Sequence, residues 1–279
     1  MITLLLPYPA ALVKSRGLRT VVVADLHIGW EVALSQKGIH VPSQTPKLLK
    51  KLVDVVSRYK ADRLLILGDV KHTVTSAETL EWRDVPEFFS ALERQVNEVL
   101  VVRGNHDGNI EPLLPETVKV LPSTGTVIGD VGLFHGHRWP SPGLLGCRTL
   151  VMGHVHPVVV FRDPAGFRVT RQVWVKADFD GVLLSKVLQR KYGVKRKEEQ
   201  ARTPQGALES GVRSSKLLIV PSFNDFLGGR PLNEGRGVLG SGKVAGPVLR
   251  SEAVDLRNAE TYLLDGTYLG TLEQLRTLG

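Results

Sequence analysis

A chain of 279 residues with 42% hydrophobic side chains can bury a substantial core, as one large α/β domain or two smaller ones. Its one cysteine, Cys147, excludes an internal disulfide and a thiolate metal cluster and fits a reducing, cytoplasmic setting. Of the net charge of +8, residues 159–216 alone carry +7, which makes DNA or RNA a candidate partner, with a solvated basic face as the equal alternative.

The opening stretch, Met1 to Pro9, lacks a basic leader and is interrupted by prolines, so it does not read as a signal peptide. No apolar run reaches the roughly 18 residues of a membrane span. Arg19 to Ala24 is a β-branched run ending at Asp25, as expected of a buried central strand. Pro46 to Tyr59 has helical apolar spacing, with Thr45 as expected N-cap and Pro46 suited to the first turn. Arg63 to Leu67 reads as a second strand and delivers Gly68-Asp69. A helix over Val85 to Val96 leads to the strand Glu98 to Val102, which delivers Gly104-Asn105-His106-Asp107. This is a strand, a polar loop and a helix, repeated.

Beyond it the pattern turns antiparallel. Val127 to Phe134 reads as a Gly-Asp hairpin running into His135, and Thr149 to Met152 as a short strand ending at Gly153-His154. Val158 to Phe161 and Phe167 to Lys176 form an expected hairpin about Asp163 to Gly166, and Lys216 to Val220 a further strand. Glu260 to Gly270 reads as a hairpin in which Asp265-Gly266 suits a two-residue turn. Lys186 to Ser215 has few large apolar residues and reads as a basic surface excursion, at about 186–216, from a single domain spanning 1–279. Leu227 to Pro247, with seven glycines, reads as a loop. Pro221 to Gly229 is a candidate substrate loop, with a buried turn against the second sheet the preferred reading.

Seven of the eight histidines stand in or beside five clusters: Asp25-Leu-His27, Gly68-Asp69, Gly104-Asn105-His106-Asp107, His135-Gly-His137 and Gly153-His154-Val-His156. Taken singly, each cluster is also an ordinary turn or strand-end cap. Five in succession, all drawing on Asp, Asn and His, point instead to divalent metal ligands. A two-metal hydrolase needs one bridging ligand and flanking ligands that hold the ions about 3.5–4 Å apart, so that a bridging hydroxide attacks phosphorus in line. Asp69 is the natural bridge. Asp25, His27 and His156 suit the first ion, and Asn105, His135 and His154 the second. His106, beside a ligand, can stabilise phosphoryl oxygens and protonate the leaving group. His72 and His137 read as residues behind the ligands or on the substrate side.

The ordered motifs resemble the calcineurin-like metallophosphoesterase superfamily. The resemblance implies a four-layer α/β/β/α sandwich with two mixed β-sheets and a dinuclear site at strand ends. It implies the same ligand assignment, with His135 rather than His137 at the fourth motif, and His106 as catalytic acid steadied by Asp107. Asp25-Leu-His-Ile-Gly-Trp-Glu31 and Gly38-Ile-His-Val-Pro42 resemble phosphoesterases associated with DNA ligase and helicase genes. Gly68-Asp-Val-Lys-His72 and Pro221 to Gly229 resemble archaeal relatives connected with the SbcD and Mre11 nucleases.

The leading expectation is a metal-dependent phosphodiesterase, with DNA or RNA among its candidate substrates. A small-molecule nucleotide phosphodiesterase or phosphomonoesterase is the second enzyme reading, and a non-catalytic scaffold of the same fold the reading from another class. Mn²⁺ is the expected ion, with Fe²⁺, Co²⁺, Ni²⁺ or Zn²⁺ compatible with the ligand types. Protein partners are not legible in the sequence.

Overall fold

A computed structural model describes residues 1–74, 79–192, 212, 215–234 and 245–277. Six strands form the first sheet in chain order: β1 (Ile2–Leu4), β2 (Ala11–Ser15), β3 (Leu18–Val23), β4 (Arg63–Ile66), β5 (Glu98–Val102) and β6 (Lys119–Leu121). The first three are antiparallel and β3 to β6 are parallel. Helices α1 (Glu31–Ser35), α2 (Thr45–Arg58) and α3 (Thr79–Leu92) intervene.

The second sheet contains β7 (Thr126–Ile128), β8 (Val131–Phe134), β9 (Thr149–Met152), β10 (Pro157–Arg162), β11 (Arg168–Phe179), β12 (Lys216–Ile219), β13 (Arg230–Pro231), β14 (Val254–Leu263) and β15 (Tyr268–Thr271). β8, β9 and β12 run parallel, while the long β11 is antiparallel to β10, β12 and β14. Helices α4 (Gly181–Tyr192), α5 (Gly246–Arg250) and α6 (Leu272–Thr277) belong to this half. Both sheets are mixed.

Alternation along the strands explains the layers. Val21, Val23, Leu64 and Ile66 pack with Leu52, Val55, Phe88 and Phe89 of α2 and α3. Val22, Ala24, Leu65 and Leu67 point the other way and meet Leu133, Val151, Trp174 and Leu218 of the second sheet. Leu184 and Leu188 of α4, with Val248 and Leu275 of α5 and α6, cover the far face. The expected α/β/β/α sandwich is therefore present, and strands buried on both faces read as unbroken apolar runs for that reason. No helix among the described residues is long and apolar enough to cross a membrane.

Several boundaries differ from expectation. Gln44, not Thr45, precedes the first turn of α2, and α3 begins at Thr79 rather than Val85. Lys186 to Tyr192 belongs to α4 and is not excursion: Leu184, Ser185 and Leu188 form a buried stripe beneath the charged residues. The rest of the predicted excursion, apart from residues 212, 215 and 216, lies outside the described residues. Arg230–Pro231 pairs with β10 and Gly246–Arg250 is helical, so the glycine-rich stretch is not wholly loop; 235–244 lies outside the described residues. The last hairpin closes through three residues, because Leu263 and Thr267 are already hydrogen-bonded and Gly266 takes φ 93°. Pro221 to Gly229 packs on both halves: Phe223 is buried in the helix-covered core of the first sheet, while Gln172 of β11 donates to the Ser222 carbonyl and Gly229 lies against Val158 of β10.

Candidate metal centre

All five clusters leave the carboxyl ends of parallel strands: β3 delivers Asp25 and His27, β4 Asp69, β5 Asn105 and His106, β8 His135, and β9 His154 and His156. Such crevices collect ligands in open α/β sheets. The turns are tight enough to force unusual backbone. Asp25, His27, Asp69, His154 and His156 all have positive φ, between 44° and 70°, and they are five of the eight non-glycine residues with that conformation among the described residues. Non-glycine residues hold such conformations only where the surroundings over-determine them, commonly at functional sites.

The surroundings here are specific. Asp107 accepts backbone N–H bonds from Asp69, Val70 and Gly104, each at 2.8 Å, and so ties the Asp69 turn to the Asn105 turn. Ser222 donates to the Asp25 carbonyl and Asn224 to the Leu26 carbonyl, both at 2.8 Å. The His154 amide donates to Asp25 Oδ2 at 3.0 Å. Two motif glycines are steric necessities. A Cβ on Gly104 would collide with the Asp69 backbone and carboxylate, and one on Gly68 would stand 2.6 Å from His135 Nδ1.

Three donor groups converge, each within 4.8 Å: Asp25, His27 and His156; His27, Asp69 and His106; and Asp69, His135 and His154. His156 Nε2 lies 3.3 Å from Asp25 Oδ1, and Asp69 Oδ2 lies 3.5 Å from His27 Nε2 and 3.3 Å from His135 Nε2. Asn105 Oδ1 approaches His135 Nε2 at 3.1 Å. Asp69 thus faces both halves of the cluster. The buried His27 Nε2 has no hydrogen-bond partner, and a carbonyl on His135 Nδ1 (Leu67, 2.6 Å) holds one ring proton there, so that Nε2 can coordinate once its own proton leaves. This set of carboxylate, amide and imidazole donors fits two divalent ions.

The sequence pattern described as calcineurin-like phosphoesterase matches residues 18–187. The chain belongs to the calcineurin-like phosphoesterases. Among solved structures, this phosphoesterase is similar to the Pseudomonas putida nuclease MPE at 20% identity and a TM-score of 0.50, covering 93% of this chain and 100% of that one. That likeness is one of fold. It also matches YfcE, a phosphoesterase from E. coli, at 20% identity and a TM-score of 0.34, over 52% of this chain and 73% of that one. No curated protein matches the sequence.

Electrostatics in the donor cluster follow from burial and crowding. Burial disfavours the Asp25 and Asp69 carboxylates, yet the imidazoles around them outweigh it and hold both pKa values below the ordinary range. Burial pushes His27 down to about 3, His154 to about 4 and His137 to about 3. His135 is the opposite case: burial opposes its charge, but Asp69 and Asp25 raise it to about 9. Burial, and then Asp69, lifts Asp107 to about 6. Bound cations would reinforce most of this balance, since they favour neutral imidazoles and ionised carboxylates, and would oppose it at His135.

His106 Nε2 stands 4.0 Å from Asp69 Oδ2, beside the ligand cluster and partly exposed. The Asp107 oxygens are taken up by backbone amides, including Gly104 in the turn that carries His106, while the ring's own Nδ1 bonds to the His72 carbonyl. The His72 ring packs edge-on to His27, with their Nδ1 atoms 3.4 Å apart. The His137 ring lies behind His135, at 5.1 Å between centroids. Neither belongs to the three donor groups.

Sequence reasoning missed Ser222, Asn224 and Glu81. Glu81 did carry a signal, because with Val85, Phe88, Phe89 and Leu92 it falls on the buried face of α3. A cleft of about 670 Å³ at the other ends of β3 to β6 is lined by Arg63, Glu98 and Lys119, which pair with one another and form no donor cluster.

Proposed function

We propose that this chain is a metal-dependent phosphodiesterase whose whole length works as one catalytic domain. The observation that carries the reading is the position of Asp69, which faces donors of both halves of the cluster and has His106 on its flank. Asp25, His27 and His156 would hold one ion, Asn105, His135 and His154 the other, and Asp69 both. Two such ions supply an acidified water as nucleophile and neutralise charge on the phosphoryl oxygens. Mn²⁺ is the ion we expect to support activity.

The protein's own contribution is positioning and proton transfer. Because a carbonyl can only accept, the bond to His72 O keeps the His106 proton on Nδ1 and aims Nε2 at the cluster. In its protonated form, Nε2–H donates to the leaving oxygen as the P–O bond breaks, and the ring recovers a proton from solvent. Diesters of nucleotide type are supported by an aromatic pair built on the loop that follows His27. Phe226, half exposed, stacks on Trp30 at 5.7 Å between centroids and 13° between planes, with Lys47 Nζ 5.7 Å from its centre. An aromatic face beside a cation suits a nucleobase next to a phosphate. A nuclease of similar fold in Pseudomonas putida makes DNA and RNA the first polymers to test.

The test is hydrolysis of bis-p-nitrophenyl phosphate and its monoester after metal stripping and Mn²⁺ return. Wild type should cleave the diester only when reloaded. His106→Ala should keep its metal and lose about 10²–10⁴-fold in rate toward a poor leaving group, whereas Asp69→Asn should lose metal and activity together. Full activity in His106→Ala toward a diester with a poor leaving group, such as diphenyl phosphate, would remove it as the acid. Two bound ions with no turnover of either ester would favour a scaffold.

A further inference from the structure

Glu81 is a carboxylate fully buried on the first turn of α3, with no place among the donor groups. Its Oε1 accepts the His72 amide at 2.9 Å and the Thr73 amide at 2.8 Å, and its Oε2 accepts the Thr73 hydroxyl. The His72 amide also points at the Ile28 carbonyl, 3.0 Å away. From the other side, the buried Lys71 ammonium donates to the Thr73 carbonyl. The three residues 71–73 are therefore gripped on both sides. The one free carbonyl direction that matters lies between those grips: His72 O is the acceptor for His106 Nδ1. Gly29, at φ 87° in the loop that carries His27, leaves the room Glu81 occupies, because a Cβ there would lie 2.8 Å from Glu81 Cγ.

We infer that Glu81 is a positioning residue for the leaving-group proton transfer, acting through the His72–Thr73 backbone to fix the orientation of the His106 ring. This rests on the reading of His106 as general acid. A buried carboxylate holding two main-chain amides and a hydroxyl is a strong local restraint, since each such bond is charge-assisted. Retracting it by one methylene frees the loop, and the His72 carbonyl then no longer holds one ring orientation. Displacements of about 1 Å in such supports can reduce a rate by up to about 100-fold.

The leaving group separates positioning from mere structural damage. Diphenyl phosphate expels phenoxide and needs the proton; bis-p-nitrophenyl phosphate expels a stabilised anion and needs it far less. In the Mn²⁺-loaded enzyme, Glu81→Asp should slow diphenyl phosphate hydrolysis about tenfold or more while changing the nitrophenyl ester less than about threefold. Glu81→Gln, which has the full reach and keeps one acceptor oxygen for the two amides, should recover most of the loss. His106→Ala serves as the reference and should show the same selectivity to a larger extent. Equal losses on both esters in His106→Ala would overturn the general-acid reading and this inference with it. Selective loss in His106→Ala beside uniform loss, or no loss, in Glu81→Asp would overturn the role of Glu81 alone. Failure of Glu81→Gln to recover diphenyl phosphate hydrolysis, in protein of unchanged metal content and melting temperature, would also overturn it.

Discussion

His135 is surrounded by acceptors: Leu67 O on Nδ1, and Asp69 Oδ2 and Asn105 Oδ1 near Nε2. Its pKa is raised to about 9, as Asp69 and Asp25 overcome the burial that opposes its charge. A raised pKa means the metal-free ring keeps a second proton at neutral pH, and coordination requires that proton to leave. Metal uptake between pH 6.5 and about 9 should therefore release close to one proton from this residue, and affinity should climb about tenfold per pH unit until the rise flattens near 9. Calorimetry in buffers of different ionisation heat measures the release directly; uptake without release over that range would remove His135 from the ligand set. The same shift contributes stability to the metal-free fold that is complete below the ordinary value of 6.5 and lost as pH rises through about 9. Asp107 poses a separate residue-scale question. Its three amide bonds are buried, and an amide in its place offers one acceptor oxygen instead of two. Asp107→Asn should destabilise the metal-free protein by about 1–3 kcal/mol, read by denaturant unfolding, and weaken metal binding through the Asp69 turn. Unchanged stability would mean that the three bonds rearrange freely.

Among the elements, α4 is the one most concealed in the sequence. Its charged Lys186, Arg190 and Lys191 lead into a basic stretch, while its core contact depends on Leu184, Ser185 and Leu188. Both leucines are fully buried in the far-face core. Leu188→Ala should lower stability by about 2–5 kcal/mol, whereas Val182→Ala, on an exposed position, should stay within about 0.5 kcal/mol. Equal and small effects on the melting temperature would undock the helix from this account. The contrast with β3, β4 and β5 is instructive. Their runs of Val, Leu and Ile are readable because both faces are covered, so no polar alternation dilutes the signal. The edge strand β1 and its neighbour β2 flank Pro7 and Pro9 and carry no comparable run. The donor clusters were legible for a related reason: each ligand follows directly from a strand end. Glu81, Ser222 and Asn224 hold the site through main-chain atoms of distant residues, and a sequence records no such partner.

At the scale of the whole molecule, the centre exists because two sheets end at one crest. Asp25, Asp69 and Asn105 come from the first, and His135, His154 and His156 from the second, with Trp174 and its neighbours fixing the distance between them. The charge of the molecule is arranged less evenly than its ligands. Lys195, Arg196, Lys197 and Arg202 lie in the basic stretch of sequence outside the described residues, while Lys47 stands over Phe226, which stacks on Trp30 in the loop that follows His27. A polymer that touches several of these cations would release counterions on binding, whereas a mononucleotide would release few. For roughly four contacts, the affinity for single-stranded DNA should fall about 50-fold between about 50 and 200 mM salt. Replacing the four cations of the basic stretch by Gln should flatten that dependence, and Phe226→Ala should weaken binding by about 1–3 kcal/mol without flattening it. Replacing the cations of the basic stretch should leave hydrolysis of bis-p-nitrophenyl phosphate, which offers a single phosphate, unchanged. Fluorescence anisotropy with a labelled oligonucleotide reads both effects. A salt-independent affinity, equal for oligonucleotide and mononucleotide, would assign the centre to a small nucleotide diester and leave the basic stretch without a part in substrate binding.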